Sequence, residues 1–311
     1  MTCSSTTEAA ISEVHPVVDA LHQALGSSLV ALALFGSRAR GDALPDSDWD
    51  LLLIAEHLPA SPLARQECLI ACLPAEWRGR AAIIARTPSE FTAHLPSLYL
   101  DIAIDGIVLY DRDGSITRHL AALRSMLDRQ GLYRIQRDRD LVWEWRTFPG
   151  YGWRLNWQQV EEEWKRMNQS AAYRLKLASG FVTEARQDID LQRWRSAVDN
   201  AQLASENAAK SVLSLVGPLG RTHQPGVWLR EALARQRFPS EATADIERLA
   251  TIADTLGMEV HIKTDYGAEE QNLTPWDLFD ESQAREALTL AEEALAIAQR
   301  LVQQFTAGDQ E

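Results

Sequence analysis

The chain has 311 residues, of which 46% are hydrophobic and 24% charged, with 12 prolines and 16 glycines; this describes a packed protein of about two domains and excludes a disordered or fibrous chain. Acidic residues outnumber basic ones by 44 to 31, and the net charge of −13 divides as −6 over residues 1–130, zero over 131–165 and −7 over 166–311, so no part is a nonspecific nucleic-acid binder. No apolar run approaches the ~18 residues of a membrane helix, and the opening MTCSSTTEAA has no basic patch followed by an apolar stretch, which points to a cytoplasmic protein. Cys3, Cys68 and Cys72 lack metal-site partners at suitable spacing and read as unpaired thiols. The 27 arginines against 4 lysines fit either phosphate-binding forks or a genome rich in G and C.

A helical lead over residues 8–25 precedes a buried strand from Leu29 to Phe35, which ends at Gly36. A second apolar run, Leu51 to Ala55, follows the polar stretch 37–49. A helix with apolar positions Leu63, Cys68, Leu69 and Cys72 leads to a third run, Ala81 to Ala85. Thr87 and Glu90 have the spacing of a capping box, which predicts a helix over about 89–103, and Ile107 to Tyr110 is a short last strand. From about residue 116 the strand signal fades, leaving Val260 to Ile262 as the only later β-like stretch. Five of the ten tryptophans, Trp143, Trp145, Trp153, Trp157 and Trp164, cluster where Pro149, Gly150 and Gly152 break the chain, with Arg134, Arg137, Arg139, Arg146 and Arg154 among them. This stretch reads as an interdomain junction, either a sealed interface or an aromatic stacking surface. Helical patterns at about 157–179, 189–216, 225–236, 240–256 and 281–305 make the second half a helical bundle, with only the last five residues loose. The expected divisions are therefore 1–130, 131–165 and 166–311, in an α+β architecture with a mixed sheet followed by an all-α bundle.

The sharpest local feature is Gly36-Ser37-Arg38-Ala39-Arg40-Gly41, followed by Asp46-Ser47-Asp48-Trp49-Asp50-Leu51 on entry to the second strand. A strand that stops at glycine and turns into a short helix offers backbone N–H groups to phosphate oxygens. Residues two apart on a strand face the same way, so Asp48 and Asp50 project together and Trp49 points to the other side. Paired carboxylates of this kind suit Mg²⁺, which takes hard oxygen ligands completed by phosphates and water.

On these residues, over about 29–112, the chain resembles the minimal nucleotidyltransferases of the DNA polymerase β superfamily. The resemblance implies that Gly36 and Ser37 hold the β- and γ-phosphates of a nucleoside triphosphate, ATP first, that Asp48 and Asp50 bind Mg²⁺, and that Arg38 or Arg40 neutralises triphosphate charge. It implies transfer of a nucleoside monophosphate to an acceptor hydroxyl, with pyrophosphate leaving. One departure stands out: the family's third carboxylate has no counterpart in Arg80-Ala81-Ala82-Ile83-Ile84-Ala85-Arg86. Asp101 is the first substitute, with Glu90 and Asp105 behind it, and a non-catalytic nucleotide sensor is the rival reading.

The second half, over about 160–306, resembles HEPN domains through Asn200 to Val216, Gly217-Pro218, Arg221-Thr222-His223, Thr264-Asp265-Tyr266 and Pro275-Trp276. Ribonucleases of that family have an arginine separated by four to six residues from a following histidine, which puts it five to seven positions ahead. Neither His223 nor His261 has one, and Arg112 to His119 matches only by coincidence of spacing. The resemblance implies a binding version of the domain, with Lys210, Arg221, His223, Asp265 and Tyr266 as candidate contacts, and a homodimer. Kanamycin-type adenylyltransferases share the layout, so the acceptor is either a small molecule such as an aminoglycoside or a protein or RNA of a toxin–antitoxin system.

Overall fold

The computed structural model describes residues 3–137, 140–150, 153–217 and 222–306. The side chain of Cys3, together with Arg139, Gly152, Pro218, Arg221 and the last five residues, lies outside that description. The chain divides into two compact units, residues 1–164 with 234–237, and 165–233 with 238–311.

In the first unit, α1 (Cys3–Leu25) leads into β1 (Leu29–Phe35), then the one-turn α2 (Gly36–Arg40) and β2 (Trp49–Ala55). α3 (Pro62–Cys72) and β3 (Ala81–Arg86) follow, then α4 (Pro88–Ala93), α5 (Ser97–Asp105), β4 (Ile107–Asp111) and α6 (Ser115–Gln130). The strands lie in the order β3-β2-β1-β4, with β1 antiparallel to both neighbours and β2 parallel to β3. All of β1 is buried, as expected for an apolar run with sheet neighbours on both edges and helices on its faces. Trp49, Leu51, Leu53 and Ala55 join the buried cluster that holds Val14, Val17 and Leu21 of α1 and Leu69 of α3. The odd-numbered side of β2 is therefore core, and Asp50 lies on the other side.

Three sequence expectations change here. The helix over 89–103 is two helices, because Pro96 has no N–H to donate and His94 ahead of it is extended. The apolar face expected on α3 holds only in part: Leu69 is buried and Cys72 half-buried, but Leu63 and Cys68 are exposed and Arg65 is buried beside Leu69. Strands also continue past residue 116, as a hairpin of β5 (Leu132–Arg137) and β6 (Asp140–Trp145) in which Arg134 pairs with Trp143 and Leu132 with Trp145. The first unit includes this hairpin, so two tryptophans of the supposed junction are strand residues.

α7 (Trp157–Asp190) has its first turns in the first unit and the remainder in the second. The second unit continues with α8 (Trp194–Leu213), α9 (Pro225–Ala234), α10 (Thr243–Thr255), α11 (Met258–Tyr266), α12 (Pro275–Leu278) and α13 (Glu281–Thr306). α8 packs against α13 through small residues: Ala197, Ala201, Ala204 and Ala208 on one, and Ala284, Ala291, Ala294 and Ala298 on the other, are fully buried. Their i, i+3 and i, i+4 spacing is one helix face, and alanine lets two backbones approach closely. Val260 to Ile262 is helical, since its flanks continue a helix over 258–266 and packing overrides a short β-like triplet.

Candidate active site

β1 and β2 pair so that Phe35 lies opposite Asp50, which puts Gly36 directly beside the Asp50 side chain. Gly36 has φ +74°, and a Cβ there would lie 2.1 Å from Asp50 Oδ2. Only glycine fits on both counts. Gly41 closes α2 in the left-handed region, and the N–H groups of Gly41 and Asp42 both donate to the Ser37 carbonyl, at 2.9 and 3.1 Å. Asp48 and Asp50 flank Trp49, which is 1% exposed and meets Trp77 edge to face at 5.4 Å. Burial pushes the Asp50 carboxyl up, the Asp48 charge adds to this, and the Arg40 guanidinium opposes it. A second negative charge held next to a half-desolvated carboxylate favours uptake of a cation.

The two arginines separate. Residues two apart on a helix point about 200° from one another. Arg40 pairs with Asp42 at 3.1 Å and its charge reaches Asp50. Arg38 points away, donating from Nη2 to the Pro45 and Ser47 carbonyls at 3.1 and 3.0 Å and from Nε to Ser47 at 3.3 Å, with its guanidinium 4.8 Å from the Trp49 ring centroid.

On β3 the residue level with Asp50 is Ala82, and Ile84 is level with Leu52, so no carboxylate stands on that side of β3. Each substitute has another partner. Glu90 completes the capping box with Thr87 and receives both Nη groups of Arg65, at 2.8 and 3.0 Å, which lowers its carboxyl to about 2. Asp101 accepts from Arg134 at 2.8 Å, and Arg134 also binds Asp105. Arg65 had no part in the sequence reading; its one signal was a basic residue three positions before Cys68 in a helix otherwise assigned an apolar face.

Residues 17–77 match the nucleotidyltransferase domain family and residues 171–301 match the HEPN domain family. A protein of Methanocaldococcus jannaschii, provisionally named a protein adenylyltransferase, is 47% identical over 47 residues, which are 15% of this chain and 32% of the relative. The chain thus spans about a third of that relative's length. This chain joins a nucleotidyltransferase domain to a HEPN domain.

In the HEPN domain, Lys210 pairs with Glu206 one turn earlier, and His223 lies 3.7 Å from the same carboxylate. Burial works against the ionised form of Glu206, but Lys210, Gln202 and His223 outweigh it and lower its pKa. The rings of His223 and His261 stack at 6.1 Å. Asp265 pairs with Arg195 at 3.4 Å, and Tyr266 is exposed. Asp199, His261 and Asp265 offer ligand atoms within 4.8 Å of one another, yet Arg195 reaches both aspartates, at 3.6 and 3.4 Å, and already supplies a positive charge. Arg112 and His119, which matched the ribonuclease spacing, are apart in role: Arg112 pairs with Glu56, and His119 Nδ1 meets the Ser115 carbonyl at 2.7 Å. That no helix among the described residues is long and apolar enough to cross a membrane agrees with the sequence.

Proposed function

We propose that this protein is a Mg²⁺-dependent nucleotidyltransferase that moves a nucleoside monophosphate from a nucleoside triphosphate, ATP first, to a hydroxyl of a protein side chain. The observation that carries this reading is the contact of Gly36 with Asp50, which sets a carboxylate against the glycine-serine turn that opens α2. Asp48 and Asp50 are hard-oxygen donors with the charge a divalent cation needs, and in this reading they hold it. Bound there, Mg²⁺ would supply charge stabilisation on the reacting phosphate. Gly36 and Ser37 bind the β- and γ-phosphates, and Arg40 offsets their charge. The acceptor oxygen bonds to the α-phosphorus while the bond to the bridging oxygen breaks and pyrophosphate leaves. A protein acceptor is favoured by the name of the archaeal relative; an aminoglycoside-like molecule or an RNA of a toxin–antitoxin system is the other outcome of the test. Asp101 serves as base in this reading only after giving up Arg134, so Asp101→Asn is read by transfer activity beside triphosphate affinity and thermal stability: a base loses transfer alone, an ion-pair residue loses stability. A homodimer belongs to the same proposal and is supported by the exposed Trp228, Tyr266 and Trp276 of the HEPN domain.

The rival reading, a nucleotide sensor without transfer, is favoured by Ala82 and Ile84 standing where a third carboxylate would be. Incubation with each labelled triphosphate and Mg²⁺, with protein, aminoglycoside and RNA fractions supplied separately, decides between them. Label on an acceptor with pyrophosphate release, lost in Asp48→Asn, is the expected result. Tight triphosphate binding with no acceptor modified establishes the sensor.

A further inference from the structure

Asp48 stands between two anchored neighbours. On one side the Ser47 carbonyl accepts from Arg38 Nη2 at 3.0 Å and Nε at 3.3 Å. On the other, Trp49 is packed in the core, its ring lies under the Arg38 guanidinium at 4.8 Å, and its backbone N–H donates to the Arg80 carbonyl at 2.8 Å. The loop before Asp48 is closed on itself, with the Ser47 N–H donating to the Leu44 carbonyl and the Leu44 N–H to Ser47 Oγ. Its tie to α2 is Arg38, which also reaches the Pro45 carbonyl at 3.1 Å. Among the described residues Arg38 has no carboxylate partner; its donors shown here go to backbone carbonyls.

From this arrangement we infer that Arg38 is a positioning residue, which sets the distance between the phosphate-binding turn on α2 and the Asp48 carboxylate, and is not itself a phosphate ligand. The inference rests on the nucleotidyltransferase reading. The physical reason is geometric. Ser37 belongs to α2 and Asp48 to the loop, and the sheet register fixes Asp50 against Gly36 but leaves Asp48, one residue before the strand, to be held by something else. A planar guanidinium can bridge two carbonyls and cover an indole face at once, which a lysine ammonium cannot.

The test uses the full chain, Mn²⁺ as the metal probe and α,β-methylene-ATP as a triphosphate that cannot transfer. Mn²⁺ binding is followed by electron paramagnetic resonance with and without the analogue, and amide exchange is followed over residues 43–48. In Arg38→Gln, Mn²⁺ affinity in the presence of the analogue should fall by about tenfold, the scale of losing charge-assisted hydrogen bonds. Exchange in the loop should rise, while metal-free analogue affinity stays near wild type. Arg38→Lys should behave like Arg38→Gln, whereas Arg40→Gln should weaken the analogue itself. Unchanged Mn²⁺ affinity and exchange in both Arg38 variants would overturn the inference, and so would loss of metal-free analogue binding, which would make Arg38 a phosphate ligand. Arg38 is half-buried on α2 and is not a member of the buried cluster, so unfolding of both variants would also count against a purely positioning role. Asp50→Asn is the control for the underlying reading: if Mn²⁺ binding survives that substitution, the nucleotidyltransferase site itself is misassigned, whatever the Arg38 variants do.

Discussion

Gly36 and Asp50 show how one missing methyl group organises the site. Gly36→Ala would place its Cβ 2.1 Å from Asp50 Oδ2 at φ +74°, combining a left-handed penalty of about 1–2 kcal/mol with an overpacking cost of about 1–3 kcal/mol. The expected result is a lower unfolding midpoint together with loss of metal-triphosphate binding, read by calorimetry. Asp50 predicts a sign as well. Its folded pKa is raised above the ordinary 3.8, chiefly by burial, so its ionisation costs stability as pH rises through the folded value. Metal-free Asp50→Asn should therefore melt above wild type at neutral pH, with the gap closing in acid. A variant that melts below wild type at neutral pH would contradict this. The pair of aspartates was legible in the sequence because strand alternation is local; the proton affinity of Asp50 was not, since it depends on how much of the chain covers it.

At the scale of elements, α3 and α4 are joined by Arg65 and Glu90, and the sequence assigned neither that role. Glu90 was legible as a cap because Thr87 is three residues away, but Arg65 is 25 positions distant. The Glu90 carboxyl is lowered from 4.5 to about 2, first by the hydrogen bonds from Arg65. Its contribution is therefore present above pH 4.5 and fades as pH falls toward 2, so the stability difference between wild type and Glu90→Gln should shrink across that window in acid titrations. Arg65 also donates to the Pro59 and Ala85 carbonyls, at 2.9 and 3.0 Å. Arg65→Met should cost more than Glu90→Gln, by about 1–3 kcal/mol in denaturant unfolding, because it strands those carbonyls as well. Equal costs would show that the carbonyl bonds contribute little. The hairpin of β5 and β6 was missed for a related reason: Arg134, Gln136 and Glu144 dilute the apolar alternation, and pairing between the strands supplies what each lacks alone.

At the scale of the molecule, a chain of net charge −13 with two differently built units should bind triphosphate through the glycine-serine turn and Arg40 of the first and carry no metal-independent ribonuclease activity in the second. RNA cleavage by the purified protein that disappears on replacing His223 or His261 would contradict this. Sedimentation at micromolar concentration should give about twice the 34.8 kDa chain mass, and a monomer would count against the dimer.

Sequence alone determined which runs become the four strands of the first sheet, where the glycine-serine turn falls, that Asp48 and Asp50 open the second strand, and that the second half is helical. These features follow from patterns a few residues long, apolar periodicity and turn chemistry, which act before any distant contact forms. Tertiary structure decided the rest. Arg38 and Arg40 are two residues apart and chemically identical, and only the surrounding loop and sheet assign one to backbone carbonyls and the other to the side of Asp50. Glu90 and Asp101 are carboxylates that the sequence could offer as bases; Arg65 and Arg134, 25 and 33 positions away, engage them instead. A charged side chain takes its role from the partner that folding brings to it, because a half-buried carboxylate without a partner costs more than an ion pair.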